Sequence, residues 1–116
     1  MSKTAKQVIT KALRRLNYIA LNEEADGDTY AEALEDYEVF HDWGRKHFRK
    51  NWSWNSDAVD DRYWTHIAGM FAGRLALSLP VSESARQRAI ANAEVSERLL
   101  KEQFRSRFSV VKVQAV

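Results

Sequence analysis

The most apolar stretch of the sequence is residues 63–79, where large apolar side chains recur at three- and four-residue steps. This spacing places them on one face of an α-helix. Other apolar residues fill most of the remaining circumference, and a helix this apolar has to be enclosed by other elements. The pattern therefore predicts a central helix. Its small residues, which let neighbouring backbones approach closely, are Ala68, Gly69, Ala72, Gly73 and Ala76.

Two helices are predicted before the central one. Residues 4–16 have an apolar face and a basic outer side, and Thr4 with Gln7 can form a capping box at the start. Residues 28–48 form the second helix, with Asp28 as a candidate N-cap. Its acidic residues come early and its basic residues late, an order that complements the helix dipole.

A fourth helix is predicted after the central one. Pro80 ends the central helix, because the residue before a proline is disfavoured in the α-helical conformation. Ser82 can cap the next helix, which we expect over residues 82–107. Its predicted alanine-rich inner face consists of Ala85, Ala89, Ala93, Ser96, Leu99, Leu100 and Phe104. The predicted fold class is therefore all-α, a four-helix bundle-like domain at residues 1–107. Candidate N-caps of the central helix are Asp57, Asp60 and Asp61.

The end of the chain, residues 108–116, differs from the helices in its composition. It is rich in β-branched residues, partly alternating, and uncharged except for Lys112. These features predict an extended C-terminal arm, and a single strand has no partner in a helical domain. We therefore expect the arm to pair with a second chain by strand addition. The residues predicted to bind that partner are Phe108, Val110, Val111, Lys112, Val113 and Val116.

The second helix carries two apolar residues away from its core face. Val39 and Trp43 lie on roughly the opposite side, among charged residues. They are candidates for the apolar centre of a subunit contact, or ordinary exposed residues of the kind that most surfaces carry. The charged residues predicted to surround that contact are Glu32, Glu35 and Asp36 on the second helix, and Arg14 and Arg15 on the first.

The connection between the second and third helices contains two tryptophans, Trp52 and Trp54. One interpretation folds both rings back over the helix ends; the other places them on a projecting loop that contacts a partner. Basic residues beside aromatic ones also suit phosphate contact combined with base stacking. The residues of this candidate partner or DNA contact are Arg45, Lys46, Arg49, Lys50, Trp52 and Trp54.

Composition narrows the functional classes. A chain of 116 residues without cysteine fits one domain with no disulfide and no thiolate site. We expect no signal peptide, and no membrane span, because Arg74 interrupts the longest apolar stretch. The net charge of +2 is weak support for nucleic-acid binding. The three histidines lack metal-ligand spacing, and no phosphate-binding or nucleophile motif is present, so we expect no cofactor and no enzymatic activity.

The order of these segments is similar to that of a known family. The four helical segments are, in order, TAKQVITKALRRLNYIAL, DTYAEALEDYEVFHDWGRK, WTHIAGMFAGRLALSLP and ESARQRAIANAEVSERLLKEQFRSR. An aromatic connection joins the second segment to the third. Over residues 4–107 this resembles the head-to-tail adaptor proteins of tailed bacteriophages, also called head-completion proteins or tail accessory factors. The shared pattern is ALRRL, a tryptophan near the end of the second helix, and A.RLAL.LP.

The resemblance implies a structural role in the virion neck. Such proteins assemble from the host cytoplasm into a ring, typically of twelve copies, beneath the portal protein. The ring extends the DNA channel, which DNA passes without sequence-specific binding, and it docks the next tail component. C-terminal extensions in the family commonly reach the portal, which fits the predicted arm at residues 108–116.

Two other functions stay open at this point. One is a small helical nucleic-acid-binding protein that uses residues 45–50 together with Trp52 and Trp54. The other is a bacterial regulatory or toxin-neutralising module that binds its partner through the valine-rich arm.

Overall fold

The computed structural model describes residues 2–19 and 25–115, with residues 106–115 described by their backbone alone. The all-α fold class is confirmed, with four helices and one very small sheet in these residues. The helices are α1 (Ala5–Arg15), α2 (Gly27–Phe48), α3 (Trp64–Leu75) and α4 (Glu83–Ala115). A 3₁₀ turn spans Arg49–Asn51, and the strands are β1 (Ser2–Lys3) and β2 (Val59–Asp60).

Helix α3 is the buried centre of the fold, as its apolar pattern predicted. It packs against α1 on one side and α4 on another, and Ile67 and Phe71 are fully buried. Its glycines lie where neighbours come closest. A Cβ atom added at Gly73 would overlap the Cβ of Ala93 and lie 3.2 Å from the Ala89 carbonyl oxygen. The predicted close approach of backbones is therefore found between α3 and α4.

The helix N-termini are capped partly as predicted. Thr4 and Gln7 form the capping box of α1, with the Gln7 side chain accepting the Thr4 N–H at 2.8 Å. Asp26, and not Asp28, caps α2, because the helix begins one residue earlier and its third N–H, on Thr29, lies 2.8 Å from the Asp26 carboxylate. This hydrogen bond lowers the pKa of Asp26.

None of the three candidate aspartates caps α3, whose N-cap residue Tyr63 makes no side-chain cap hydrogen bond. The Asp57 carboxylate instead accepts the backbone N–H of Ala5 at 2.8 Å. It thus satisfies one of the unpaired amides at the start of α1, across the domain.

Helix α3 also ends earlier than predicted. The backbone continues past Leu75 as tighter turns, with the Leu77 N–H bonded to the Arg74 carbonyl at 3.2 Å and the Ser78 N–H to the Leu75 carbonyl at 3.0 Å. Such i to i+3 bonds commonly close a helix before a proline, and Pro80 follows.

The predicted extended arm is wrong for residues 108–115, because α4 continues to Ala115. No glycine or proline interrupts residues 83–115, and a helix satisfies its backbone groups without a partner strand. Each valine destabilises a helix by only a few tenths of a kcal/mol relative to alanine. The predicted binding residues Phe108, Val110, Val111, Lys112 and Val113 are therefore part of a helix, while Val116 lies outside the described residues.

A two-stranded sheet was not predicted. Strand β1 pairs with β2 in antiparallel register, Ser2 opposite Asp60 and Lys3 opposite Val59. Two residues are too few for an alternating pattern to appear in the sequence. The pairing ties the start of the chain to the connection between α2 and α3, beside the fully buried Val59.

We expect the substitution Gly73→Ala to destabilise the fold. Overpacking against Ala93 costs about 1–3 kcal/mol, which exceeds the gain of roughly 1 kcal/mol in helix propensity. Urea unfolding followed by circular dichroism measures the difference. Gly27→Ala is the matched control, because no atom lies within 4 Å of its added Cβ. A Gly73→Ala protein as stable as the Gly27→Ala protein contradicts the close packing.

Candidate functional site

The two tryptophans of the α2–α3 connection belong to the core. Trp52 is 1% exposed and stacks on Phe48 with ring centroids 5.6 Å apart; Trp54 is 9% exposed and lies 4.9 Å from Trp52. The interpretation that folds both rings back over the helix ends is confirmed. The candidate partner or DNA contact through Trp52 and Trp54 is wrong, because a buried ring cannot stack on a base.

His41 anchors this cluster. The Trp52 indole N–H donates to Nδ1 of His41 at 3.1 Å, and Gly44 makes room for the indole, since an added Cβ would lie 2.6 Å from it. Burial, and next the charge of Arg45, lowers the pKa of His41. His41 is therefore a buried, hydrogen-bonded residue of the core.

Some of the basic residues at the end of α2 make local contacts within the domain. The Arg45 guanidinium donates to the Trp54 carbonyl at 3.3 Å, and Lys46 pairs with Asp42 at 3.1 Å. Arg49 and Lys50 are exposed in the 3₁₀ turn that follows. At least two of the four cations thus have local partners, and the aromatic residues expected beside them are buried.

The outer side of α2 carries a stripe that combines acidic and apolar residues. We call Glu32, Asp36, Val39 and Trp43 the α2 stripe; their spacing of four, three and four places them on one face. Val39 is 56% exposed and Trp43 is 36% exposed, so the predicted exposure of both is confirmed. The Trp43 ring stacks on His47 at 4.9 Å, and Glu35 is exposed beside the stripe.

Next to Trp43 lies an apolar groove of about 490 Å³ between α2, α3 and α4. Leu77, at 70% exposure, and Met70 line it, and α4 contributes Ile90 and Glu97. Leu77 belongs to the apolar stretch of residues 63–79 but lies beyond the end of α3 at Leu75, and it is exposed.

A basic groove of about 820 Å³ lies between α1, the start of α3 and α4. No carboxylate is among the described residues that line it. Its cations are Lys6, Lys11, Arg14, Arg15 and Arg88. Arg14 and Arg15 were predicted from the basic side of α1, whereas Arg88 was missed because only the fold brings α4 beside α1.

Electrostatic crowding marks the basic groove. The Lys11 ammonium lies 4.5 Å from the centre of the Trp64 ring. Partial burial, followed by the charges of Arg15 and Lys3, lowers the pKa of Lys11. None of the ion pairs between described residues includes Lys11, Arg15 or Arg88. An anionic group placed here would relieve the repulsion between these cations.

Helix α4 has its own exposed stripe next to this groove. We call Arg88, Asn92, Val95 and Leu99 the α4 stripe; all four are exposed, with Val95 at 41% and Leu99 at 37%. The prediction that Leu99 lies on the inner face was wrong. The rest of the predicted inner face is confirmed at Ala85, Ala89, Ser96, Leu100 and Phe104, which are buried, and Leu99 lies at the exposed edge of that face.

The two grooves border α4 on opposite edges. Arg88 lines the basic groove and Ile90 the apolar groove, and residues two apart on a helix point about 200° away from each other. Trp43 of the α2 stripe lines the apolar groove and Arg88 of the α4 stripe lines the basic groove, so the two stripes border different grooves. The chain therefore has two unlike surfaces, one beside each groove.

Other chemistry is limited in the described part of the chain. No three His, Asp or Glu side chains there are grouped to hold a metal ion. None of the helices described is long and apolar enough to cross a membrane. Comparison with known proteins gave no match, whether to a family model, a curated protein or a solved structure. The two surfaces are therefore the basis for a functional proposal.

The buried His41 makes a prediction about pH. Its pKa in the folded state is below the value near 6.5 of the unfolded chain, so the unfolded state binds more protons as the pH falls below about 7. Stability present at pH 7.5 is lost toward pH 5, by about 1.4 kcal/mol for each unit of pKa difference.

His41→Asn keeps an acceptor for the Trp52 indole and removes the titration. Urea midpoints at pH 7.5 and pH 5.5 should therefore differ less in this variant than in the natural chain. His66→Gln is the control, because burial and then Arg15 also lower the pKa of His66, and this variant retains the His41 contribution. An unchanged pH dependence in His41→Asn contradicts the assignment.

Proposed function

We propose that this chain is a structural head-to-tail adaptor of a tailed bacteriophage. In this proposal it forms a ring, typically of twelve copies, beneath the portal protein in the virion neck, after synthesis in the host cytoplasm. The ring extends the channel through which DNA passes without sequence-specific contact, and it docks the next tail component. The proposal begins with the resemblance over residues 4–107 and adds the surfaces of the folded domain.

The observation that supports it most is the pair of unlike surfaces, one beside each groove. A cyclic assembly of more than two copies uses head-to-tail contacts, in which each copy presents one surface to the next copy and a different surface to the previous one. The α2 stripe offers acidic and apolar groups, and the basic groove with the α4 stripe offers cationic and apolar groups. Charge complementarity of this kind favours one orientation of neighbours.

Within the proposed ring, Trp43 and Val39 are the apolar centre of the contact between subunits. Tryptophan is enriched among the residues that dominate interface energies. The charged part of the contact consists of the predicted acidic residues on α2 and the predicted basic residues on α1: Glu32, Glu35, Asp36, Arg14 and Arg15.

The C-terminal residues 108–116 are proposed to contact the portal, as such extensions do in the family. Because α4 includes residues 108–115, this contact uses the side of a helix and not strand addition. The regulatory or toxin-neutralising function depended on an extended arm and therefore loses its main support. The nucleic-acid-binding function loses its stacking residues, since Trp52 and Trp54 are buried.

We expect Trp43→Glu to abolish formation of the subunit ring. A buried carboxylate at the centre of the contact has no partner and costs several kcal/mol. Light scattering after size-exclusion chromatography, in the presence of the portal protein, measures the assembly. Ser53→Glu adds the same charge at an exposed position outside both surfaces and serves as the control. Rings of unchanged size and yield with Trp43→Glu contradict the proposed contact.

A further inference from the structure

The α2 stripe and the α4 stripe have the same spacing. Both follow steps of four, three and four residues, the spacing by which two helices pack along a shared seam. Both also begin with polar residues and end with apolar ones. On α2, Glu32 and Asp36 precede Val39 and Trp43. On α4, the polar pair and the apolar pair follow in the same order: Arg88, Asn92, Val95 and Leu99.

We propose that the α2 stripe of one copy packs in parallel along the α4 stripe of the next copy. Glu32 then faces Arg88, Val39 faces Val95, and Trp43 faces Leu99. This inference rests on the proposed function, since it specifies how neighbours in the ring contact each other.

Charge determines the direction of the pairing. The described residues provide no ion pair for Glu32, Glu35 or Arg88, and the two stripes border different grooves of one molecule. Parallel pairing brings the acidic end of α2 to Arg88 and to the basic groove beside it. Antiparallel pairing places Glu32 against Leu99 and Trp43 against Arg88, and so leaves the charges unpaired against apolar groups.

The direction of the pairing agrees with the way in which α2 and α4 lie within one molecule. Phe48 of α2 contacts Phe104 of α4 with ring centroids 5.6 Å apart, and earlier along both helices Trp43 shares the apolar groove with Glu97. The two helices therefore run in the same direction where they approach each other.

Disulfide trapping tests the pairing directly, because the chain has no cysteine of its own. A disulfide forms only when the two Cα atoms lie about 4.4–6.8 Å apart. We expect Val39→Cys, mixed with Val95→Cys, to give a heterodimer on mild oxidation, and Asp36→Cys with Asn92→Cys to behave in the same way. All four positions lie on the stripes and are at least partly exposed, so the variants should fold.

Glu102→Cys provides the control for register. It lies seven residues beyond Val95 along the same side of α4, about 10 Å further on. We expect Val39→Cys to form a heterodimer with Val95→Cys at least tenfold faster than with Glu102→Cys. Equal rates, or a faster reaction with Glu102→Cys, overturn the proposed register.

A charge exchange provides an independent measurement. In the Val39→Cys and Val95→Cys background, Glu32→Arg alone or Arg88→Glu alone should slow cross-linking severalfold. Mixing the two reversed chains restores the pair with opposite signs and should restore the rate. Cross-linking that is insensitive to both reversals overturns the pairing of Glu32 with Arg88.

Electron microscopy of the cysteine-free chain with the portal protein separates this inference from the proposed function. If rings form but the in-register cysteines do not cross-link, the inference is overturned and the adaptor function stays in place. In-register cross-links in a chain that never forms rings with the portal support the contact and contradict the adaptor function.

Discussion

The close approach of α3 and α4 is the constraint on which the rest of the structure depends. Gly73 lets the backbone of α4 lie against α3 at Ala89 and Ala93. Gly69 does the same one turn earlier, where an added Cβ would overlap the Ser96 hydroxyl and lie 2.6 Å from the Arg15 guanidinium. The face of α4 that lies on α3 is buried, and the two edges of that face border the two grooves.

Periodicity predicted the helices well because each of them buries a face wide enough to repeat several times. The sequence placed α3 at the centre, and the capping box of Thr4 and Gln7 was readable because it depends on residues three apart. What failed was decided by contacts between distant segments. Asp57 accepts a hydrogen bond from Ala5 of α1 and does not cap α3. The basic groove depends on the fold, which brings Arg88 of α4 beside α1.

Exposure was the least predictable property of the surface. Val39 and Trp43 were recognised because they break the apolar pattern of an otherwise regular helix. Leu77 and Leu99 fit the patterns of their helices and are nevertheless exposed, since Leu77 follows the end of α3 and Leu99 lies at the edge of the inner face of α4. Trp52 and Trp54 show the reverse case, in which residues of a polar connection fill the core.

The small apolar area of each stripe has a consequence for the proposed ring. Each stripe has two apolar residues, and those of the α2 stripe are 56% and 36% exposed, so one contact buries little apolar surface. The entropy lost on association is of the order of 4–15 kcal/mol, and such a contact offsets only part of it. Copies held side by side on a portal form the same contact at a high effective concentration. Weak contacts of this kind favour a ring that assembles on the portal and a chain that stays monomeric until it binds the portal.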